Sequence, residues 1–465
     1  MKFDADLMVI GAGSAGLSVA AGAVQMGARV VLIEGGEMGG DCLNTGCVPS
    51  KALIEAARRA KGAASAKKLG VSCHDMAVDY ASVMRHVRET IAVIEPHDSQ
   101  ERFEELGVRV IRGYAEFASE NSVRVGDETV TARRIVVATG ATPIAPPING
   151  LDAVAYFTNE TFFKNYDRPD RLIIIGGGPI GVEMAQAHAQ LGIRTTLIER
   201  FEILPREITE IREIVRNRLL QDGVTVFENC DVSSIEKSGA IKSITLGDGQ
   251  MIEGSHILVA TGRGANFHGL NLTAAGIETT DFGIKVDDSL RTTNRAVYAV
   301  GDVIGQEKFT HVAGYHASLV VRSALFGLPA KVRTDHIPRV TYCDPEVASV
   351  GEISDGAGIE TYRVTYDGLD RAIAGGGTDG FAQIWVKNGR VQGATIVGAQ
   401  AGESIHFWSL VIAQNLKLSK ASSVITPYPT LSDINKKLIG AYFTPRLFDN
   451  PNIKSFVKLI QRWVP

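Results

Sequence analysis

Cys42 and Cys47 are separated by four residues in the run Gly39-Gly40-Asp41-Cys42-Leu43-Asn44-Thr45-Gly46-Cys47-Val48-Pro49-Ser50-Lys51. Two thiols so placed could ligate zinc, close a permanent disulfide, or cycle between dithiol and disulfide. Zinc needs two further ligands at suitable spacing, and no such pair of Cys or His lies near in sequence. A permanent disulfide is at odds with a reducing compartment, and five cysteines are too few and too uneven for a secreted framework. The favoured reading is a reversible pair, which works when a nearby positive charge holds one sulfur as thiolate. Lys51 is a candidate for that charge. Cys73, Cys230 and Cys343 stand alone and are expected to be buried or inert.

Glycine supplies the second chemical signal. Gly11-x-Gly13-x-x-Gly16 follows the apolar strand Leu7 to Ile10, opens an Ala-rich helix, and leads to a strand, Arg29 to Ile33, that ends in Glu34. Gly176-x-Gly178-x-x-Gly181 follows Leu172 to Ile175, opens a second helix, and leads to Thr195 to Ile198 and Glu199. The first glycine and the acid are 23 residues apart in both copies. One such loop is weak evidence, but two in the full strand–loop–helix–strand–acid setting are strong. The first glycine makes the turn, the second lets a pyrophosphate approach, and the third packs helix on strand. The phosphates then rest on a helix N-terminus, and Glu34 and Glu199 are placed to accept from ribose hydroxyls. Two dinucleotide sites in one chain imply two cofactors that exchange electrons.

The elements around these loops are consistent with them. Strands at Arg134 to Ala138 and His256 to Ala260 each end in Ala-Thr-Gly, at Thr139-Gly140 and Thr261-Gly262. Val297 to Val300 ends in Gly301-Asp302, where a carboxylate could hold a polyol chain. Beyond about Asp335 the pattern changes. Gln383 to Val386 and Val391 to Val397 read as a hairpin around Asn388-Gly389, followed by helical patterns at Glu403 to Gln414 and Leu431 to Tyr442.

The 465 residues are enough for about three domains at ~150 residues each. A hydrophobic fraction of 45% with 22% charged residues excludes intrinsic disorder and a disulfide-stapled mini-protein. A net charge of -4 gives no wholesale attraction to nucleic acid or acidic membranes. The apolar run Leu7 to Val24 carries Asp4 and Asp6 where a signal peptide would be basic, so it reads as part of a nucleotide fold. The expectation is a cytoplasmic protein with no integral membrane segment.

With these motifs in order, the chain resembles the class I pyridine nucleotide–disulfide oxidoreductases, among them lipoamide dehydrogenase, glutathione reductase and mercuric reductase. The resemblance implies an α/β fold with two Rossmann-like dinucleotide-binding domains and a C-terminal α+β dimerisation domain. It places an FAD-binding domain at 1–148 and 264–334, an NAD(P)-binding domain at 149–263, and dimerisation at 335–465. It implies FAD, a nicotinamide nucleotide and a homodimer whose sites combine both chains. By position, Cys42 resembles the interchange thiol and Cys47 the thiol in charge-transfer contact with flavin. Lys51 looks like the flavin-side lysine, Glu183 its buried carboxylate partner, and Asp302 the ribityl ligand. Thr310-His311-Val312-Ala313 resembles the start of a helix whose positive end faces the flavin.

The sequence departs from the family in four places. Where disulfide-reducing members carry a His-Pro-Thr acid–base segment oriented by glutamate, this chain has Tyr428-Pro429-Thr430, with Asp433 at the glutamate position. Tyrosine titrates near 10 and histidine near 6.5, so Tyr428 is the poorer base at neutral pH. General acid–base catalysis contributes ~10²–10⁴ in rate, so poor turnover of dihydrolipoamide is expected. Mercuric reductases also carry tyrosine near this place, but they deliver the ion through a C-terminal cysteine pair, and no cysteine follows Cys343 here. Glu199 favours NAD, with Arg200 and Arg206 close enough to leave NADP open. Pro179 replaces a gating tyrosine of glutathione reductases. Finally, Ile453, Phe456, Val457, Ile460 and Val464 recur at helical spacing beside Lys454, Lys458 and Arg462. That pattern suits either closure on the protein's own dimer or docking to a partner or an anionic membrane.

Three functions remain open. The first is a lipoamide-dehydrogenase-like dithiol/disulfide oxidoreductase acting on a small-molecule or protein-bound substrate. The second is a mercuric-reductase-like metal reductase, and the third a partner-docking, redox-sensing flavoprotein. Retention of both Cys42 and Cys47 argues against the third.

Overall fold

The computed structural model describes residues 3–73 and 77–464, so Pro465 lies outside the described residues. The chain groups into two compact units. The first comprises Met1–Lys67, Ser72–Ile203 and Gly223–Val332, and the second Lys68–Val71, Leu204–Asp222 and Arg333–Pro465.

The first unit contains two parallel sheets. One is five-stranded, in the order Val297–Ala299, Ile135–Val137, Leu7–Ile10, Val30–Glu34, Arg109–Arg112. The other is four-stranded, in the order Val224–Phe227, Arg194–Ile198, Arg171–Ile175, His256–Val259. Parallel strands covered on both faces read as unbroken apolar runs, and Leu7–Ile10 is buried at every residue. In each sheet the strand before the glycine loop is flanked by the strand ending in the acid and by the one ending in Ala-Thr-Gly. The same register therefore brings loop, acid and Ala-Thr-Gly turn to one end of the sheet. Ala141–Pro143 pairs antiparallel with Arg263–Ala265, joining the two Ala-Thr-Gly segments. Two three-stranded antiparallel meanders, spanning 115–131 and 232–254, were not legible in the sequence pattern.

The second unit is a five-stranded antiparallel sheet, in the order Pro338–Thr341, Glu346–Gly351, Arg390–Gly398, Phe381–Lys387, Glu360–Thr365. Asn388 and Gly389, both at positive φ (52° and 72°), make the hairpin turn that their dipeptide predicts. Helices His406–Ala413 and Asp433–Phe448 cover the sheet around the fully buried Trp408. The segment Leu204–Asp222 belongs to this unit through ion pairs Glu210–Arg363 (2.6 Å) and Glu207–Arg339 (2.9 Å). The last helix, Pro451–Ile460, is capped by the Asn450 side chain and buries no residue. Among the described residues no helix is long and apolar enough to cross a membrane. Of the three lone cysteines Cys343 is buried, Cys230 half-buried and Cys73 exposed.

Candidate redox-active site

The thiol pair is built at a junction of helix ends. Cys42 lies in the short helical turn Gly40–Asn44, and Cys47 is the first residue of the 19-residue helix Cys47–Ser65. Gly39 and Gly40 stand at positive φ, and a Cβ on Gly40 would come within 2.7 Å of the Gly13 Cα. The redox loop is thus packed directly on the first phosphate loop. A second helix, Thr310–Phe326, begins at the same place, and the Thr310 hydroxyl lies 3.3 Å from the Cys47 sulfur. Two helix N-termini meeting at one sulfur favour its anionic form.

The two sulfurs differ in acidity. A hydrogen bond from Cys42 is the main influence pulling the Cys47 thiol down to about 6, with help from Thr310 and the Lys51 charge, while burial and Asp41 oppose it. The Cys42 thiol is pushed up by donating to Cys47 and by burial. The reduced pair therefore keeps one proton, held on Cys42. The Lys51 ammonium pairs at 2.9 Å with Glu183, whose side chain is 5% exposed, so the structure brings these two together.

Asp41 adjoins Cys42 but carries no signal in residue type or spacing. Its carboxylate accepts from the Thr45 hydroxyl (2.7 Å) and the Asn159 amide (2.8 Å), and pairs with Arg263 (3.3 Å). Arg263 directly follows the second Ala-Thr-Gly turn, and it lines a small cavity with Asn159, Phe162, Ile180 and Met184. Asp41 so fastens the redox loop to the wall of the second nucleotide fold.

Both glycine loops fit a dinucleotide. A Cβ at Gly11 would lie 2.4 Å from the Ala138 carbonyl oxygen and one at Gly16 1.8 Å from that of Gly11. At Gly13 the nearest atom is 3.9 Å away. The second loop repeats this, with 2.5 Å at Gly176, 1.8 Å at Gly181 and nothing within 4 Å at Gly178. Outer glycines are demanded by packing, and the middle one leaves backbone open where phosphate approaches. Helices Ser14–Gln25 and Pro179–Gln190 start there without a side-chain cap, leaving their first N–H groups to an anion.

Glu34 accepts from the backbone of Ala12 (2.5 Å) and Gly36 (2.6 Å), and Glu199 from Gly177 (2.5 Å) and Phe201 (2.9 Å). A carboxylate offers about four lone-pair positions, so both retain capacity for ribose hydroxyls. Arg200 is committed to Asp231 at 3.0 Å. The Thr139 hydroxyl donates to the Asn266 carbonyl, while Gly140 (φ 71°) and Gly262 (φ 139°) make the turns that follow.

Asp302 sits half-buried in the turn Gly301–Ile304, and burial pushes its carboxyl up, opposed by Arg263 and Lys308. The turn is pinned from behind: the Gly301 N–H donates to Nδ1 of His316 at 3.3 Å. Burial holds His316 down at about 4, so the ring stays neutral and able to accept. His316 gave no sequence signal. His311 is exposed and stacks on Phe309 at 5.2 Å.

In the second unit Tyr428 and Asp433 have different surroundings. The Tyr428 hydroxyl donates to Asp370 Oδ2 at 2.7 Å. Asp433 is 9% exposed, and its Oδ1 has no hydrogen-bond partner. Asp433 follows the cap residue Ser432 and starts the helix Asp433–Phe448, so its backbone turns away into that helix while Tyr428 stays 70% exposed. No sequence pattern ties Asp370 to Tyr428, 58 residues away. Among the described residues no group of three His, Cys, Asp or Glu side chains is gathered to hold a metal ion.

Comparison with known proteins agrees with this geometry. Residues 5–317 match the family model for pyridine nucleotide-disulphide oxidoreductases, and residues 337–439 match that family's dimerisation domain. The chain is 34% identical over 444 residues to a mercuric reductase of Bacillus cereus, covering 93% of this chain and 70% of that protein. It is 32% identical over 456 residues to a dihydrolipoyl dehydrogenase of Bacillus subtilis, covering 93% and 95%. A Cu(II) complex of the HOCl-induced flavoprotein disulfide reductase RclA from Escherichia coli superposes with a TM-score of 0.83 at 27% identity, covering 92% of this chain and 98% of that one. Two matched glycine loops, a thiol pair between them and a matched dimerisation domain leave one conclusion: the chain belongs to the pyridine nucleotide–disulphide oxidoreductase family of flavoenzymes, which use FAD and NAD(P)H on sulfur groups, and its dimerisation domain supports a homodimer.

Proposed function

We propose that this enzyme runs in the reductive direction, spending NADH to reduce a disulfide, rather than as a dihydrolipoamide dehydrogenase. The observation that carries the reading is the Tyr428 hydroxyl bonded to Asp370, which pushes the phenol above its ordinary value near 10. A phenol held protonated is a donor. Oxidising a dithiol needs a base, whereas reducing a disulfide needs stabilisation of a departing thiolate, which a donor supplies.

We assign FAD to the fold of residues 1–148 and 264–334, NAD(P) to 149–263, and dimerisation to 335–465, in a cytoplasmic homodimer. Bound FAD and NAD(P)H would supply hydride transfer and a two-electron relay. Gly11, Gly13, Gly16, Glu34, Thr139, Gly140, Gly301, Asp302 and His311 would line the flavin site, and Gly176, Gly178, Gly181, Glu199 and Gly262 the nicotinamide nucleotide. Lys51, fixed by Glu183, would hold positive charge beside the flavin. Cys42 attacks one sulfur of the substrate as its proton passes to Cys47, giving a mixed disulfide. The leaving thiolate is met by Tyr428 from the other subunit. Cys47 then attacks Cys42 as its proton passes to the second substrate sulfur, which leaves as the thiol and closes Cys42–Cys47, and Tyr428 recovers from solvent the proton it gave to the first. The substrate gains two electrons, and NADH restores them to the pair.

Two expectations follow at the cofactor sites. The charge-transfer absorbance of the two-electron-reduced enzyme reports the Cys47 thiolate. The Cys47 pKa is depressed from 9 to about 6, so the band is fully present well above pH 6 and disappears as pH falls through that value. Removing the donor with Cys42→Ala moves the midpoint upward; an unmoved midpoint would show that helix ends and Lys51 suffice. Coenzyme choice follows from Glu199 and the pairing of Arg200 with Asp231. NADH should be preferred to NADPH, and Glu199→Ala should raise the KM for NADH by roughly 10- to 100-fold, the worth of a hydrogen bond to a charged group.

A metal-ion substrate is the second reading, supported by Tyr428 and by the mercuric reductase relatives. The deciding experiment compares NADH oxidation driven by lipoamide, glutathione disulfide, Hg(II) and Cu(II) with NAD reduction by dihydrolipoamide. Turnover on dihydrolipoamide that outpaces every reductive substrate would sink the directional proposal.

A further inference from the structure

Pro451–Ile460 starts from its own Asn450 cap and buries nothing, although its apolar residues lie on one side. Phe456 is 61% exposed, Trp463 81% and Val464 61%. The opposite side carries Lys454, Lys458 and Arg462, four residues apart. None of the three has an ion-pair partner among the described residues, and no acid occurs after Asp449. A chain of net charge -4 thus places on one helical segment three cations that have no ion-pair partner among the described residues.

We propose that the helix Pro451–Ile460 and the turn after it dock the protein on an anionic phospholipid surface. Charge complementarity selects this occupant. An apolar arc with aromatic residues, opposed by lysine and arginine, is the pattern of a helix lying in the membrane interface plane. Ten residues span about 15 Å, half of a bilayer core, so the helix lies on the surface and does not cross it. A second copy of the chain is a poorer fit. The matched dimerisation domain ends at residue 439, before this helix begins. Juxtaposing two copies of the segment would also bring six cations together with no acid of the segment to answer them.

The chain carries its own reporter. Trp385 and Trp408 are 2% and 0% exposed, so a change in tryptophan emission on adding vesicles reports Trp463. The test uses FAD-loaded full-length enzyme with vesicles of phosphatidylcholine alone or mixed with phosphatidylglycerol. Binding to the mixed vesicles only is expected, with a blue shift of Trp463 and release by salt. Each cation near an anionic surface contributes about 1 kcal/mol, so Lys454→Gln/Lys458→Gln/Arg462→Gln should weaken binding roughly 100-fold. This variant leaves the apolar arc intact, and unchanged turnover in solution verifies its fold. Equal binding of variant and wild type, or no binding to either vesicle, overturns the proposal. Trp463 shielded from an aqueous quencher in lipid-free dimer, with no response to vesicles, overturns it in favour of the second copy.

Discussion

Cys42→Ser is expected to abolish NADH-dependent disulfide reduction, by about three orders of magnitude or more, while NADH should still bleach the bound flavin at the wild-type rate. The expectation follows from the proposed role of Cys42 as the sulfur that attacks substrate. Gly40 rests on Gly13, and a hydride passed from bound NADH to bound FAD would need neither thiol. Losing the attacking sulfur removes the covalent route, and such losses are not rescued by the remaining groups. The same variant carries a second signature. Cys47 has no partner with which to close a disulfide, so it should remain a thiolate in the oxidised enzyme, with the serine hydroxyl able to donate in place of the Cys42 thiol and with Thr310, Lys51 and its helix end beside it. A charge-transfer band that persists without any reductant should therefore appear. Cys47→Ser should lose both turnover and band. Substantial substrate reduction by Cys42→Ser would mean that electrons leave the flavin directly and that the thiol pair is bypassed.

The architecture was readable because the chain states it twice. Two glycine loops 165 residues apart, each with an acid at the same distance, give parallel sheets whose registers then follow from packing. The thiol pair and Lys51 were equally visible, being neighbours in sequence. What escaped were contacts made by residues of ordinary type across long separations. Arg263 reaches Asp41 from 222 residues away, and Thr310 reaches Cys47 from 263. His316 works by remaining neutral, a property of burial that a sequence does not display. The partner of the Tyr428 hydroxyl is hidden in the same way. Position five residues after Tyr428 suggested a partner, but the backbone commits Asp433 to a helix start, and the hydroxyl finds Asp370 instead.

That substitution of partner gives the second large expectation. Tyr428→Phe should lower disulfide reduction by ~10²–10⁴, the usual worth of a positioned acid or base. Asp370→Asn should act through the same hydroxyl. The Asp370 carboxylate raises the phenol pKa by hydrogen bond and by charge, so its neutralisation lowers that value. The alkaline limb of the turnover profile, where the phenol ionises and stops donating, should then move to lower pH, with turnover at neutral pH reduced less than in Tyr428→Phe. Asp433 contributes only as a more distant charge, and Asp433→Asn should shift that limb less than Asp370→Asn does. Tyr428→His should raise NAD reduction by dihydrolipoamide, because an imidazole near 6.5 can take the proton a phenol cannot. If Tyr428→Phe keeps full reductive activity, the hydroxyl only packs in the interface, and the directional argument falls with it. If Asp370→Asn instead moves the alkaline limb while Tyr428→Phe removes it, the proton that meets the departing thiolate is the one Asp370 keeps on Tyr428.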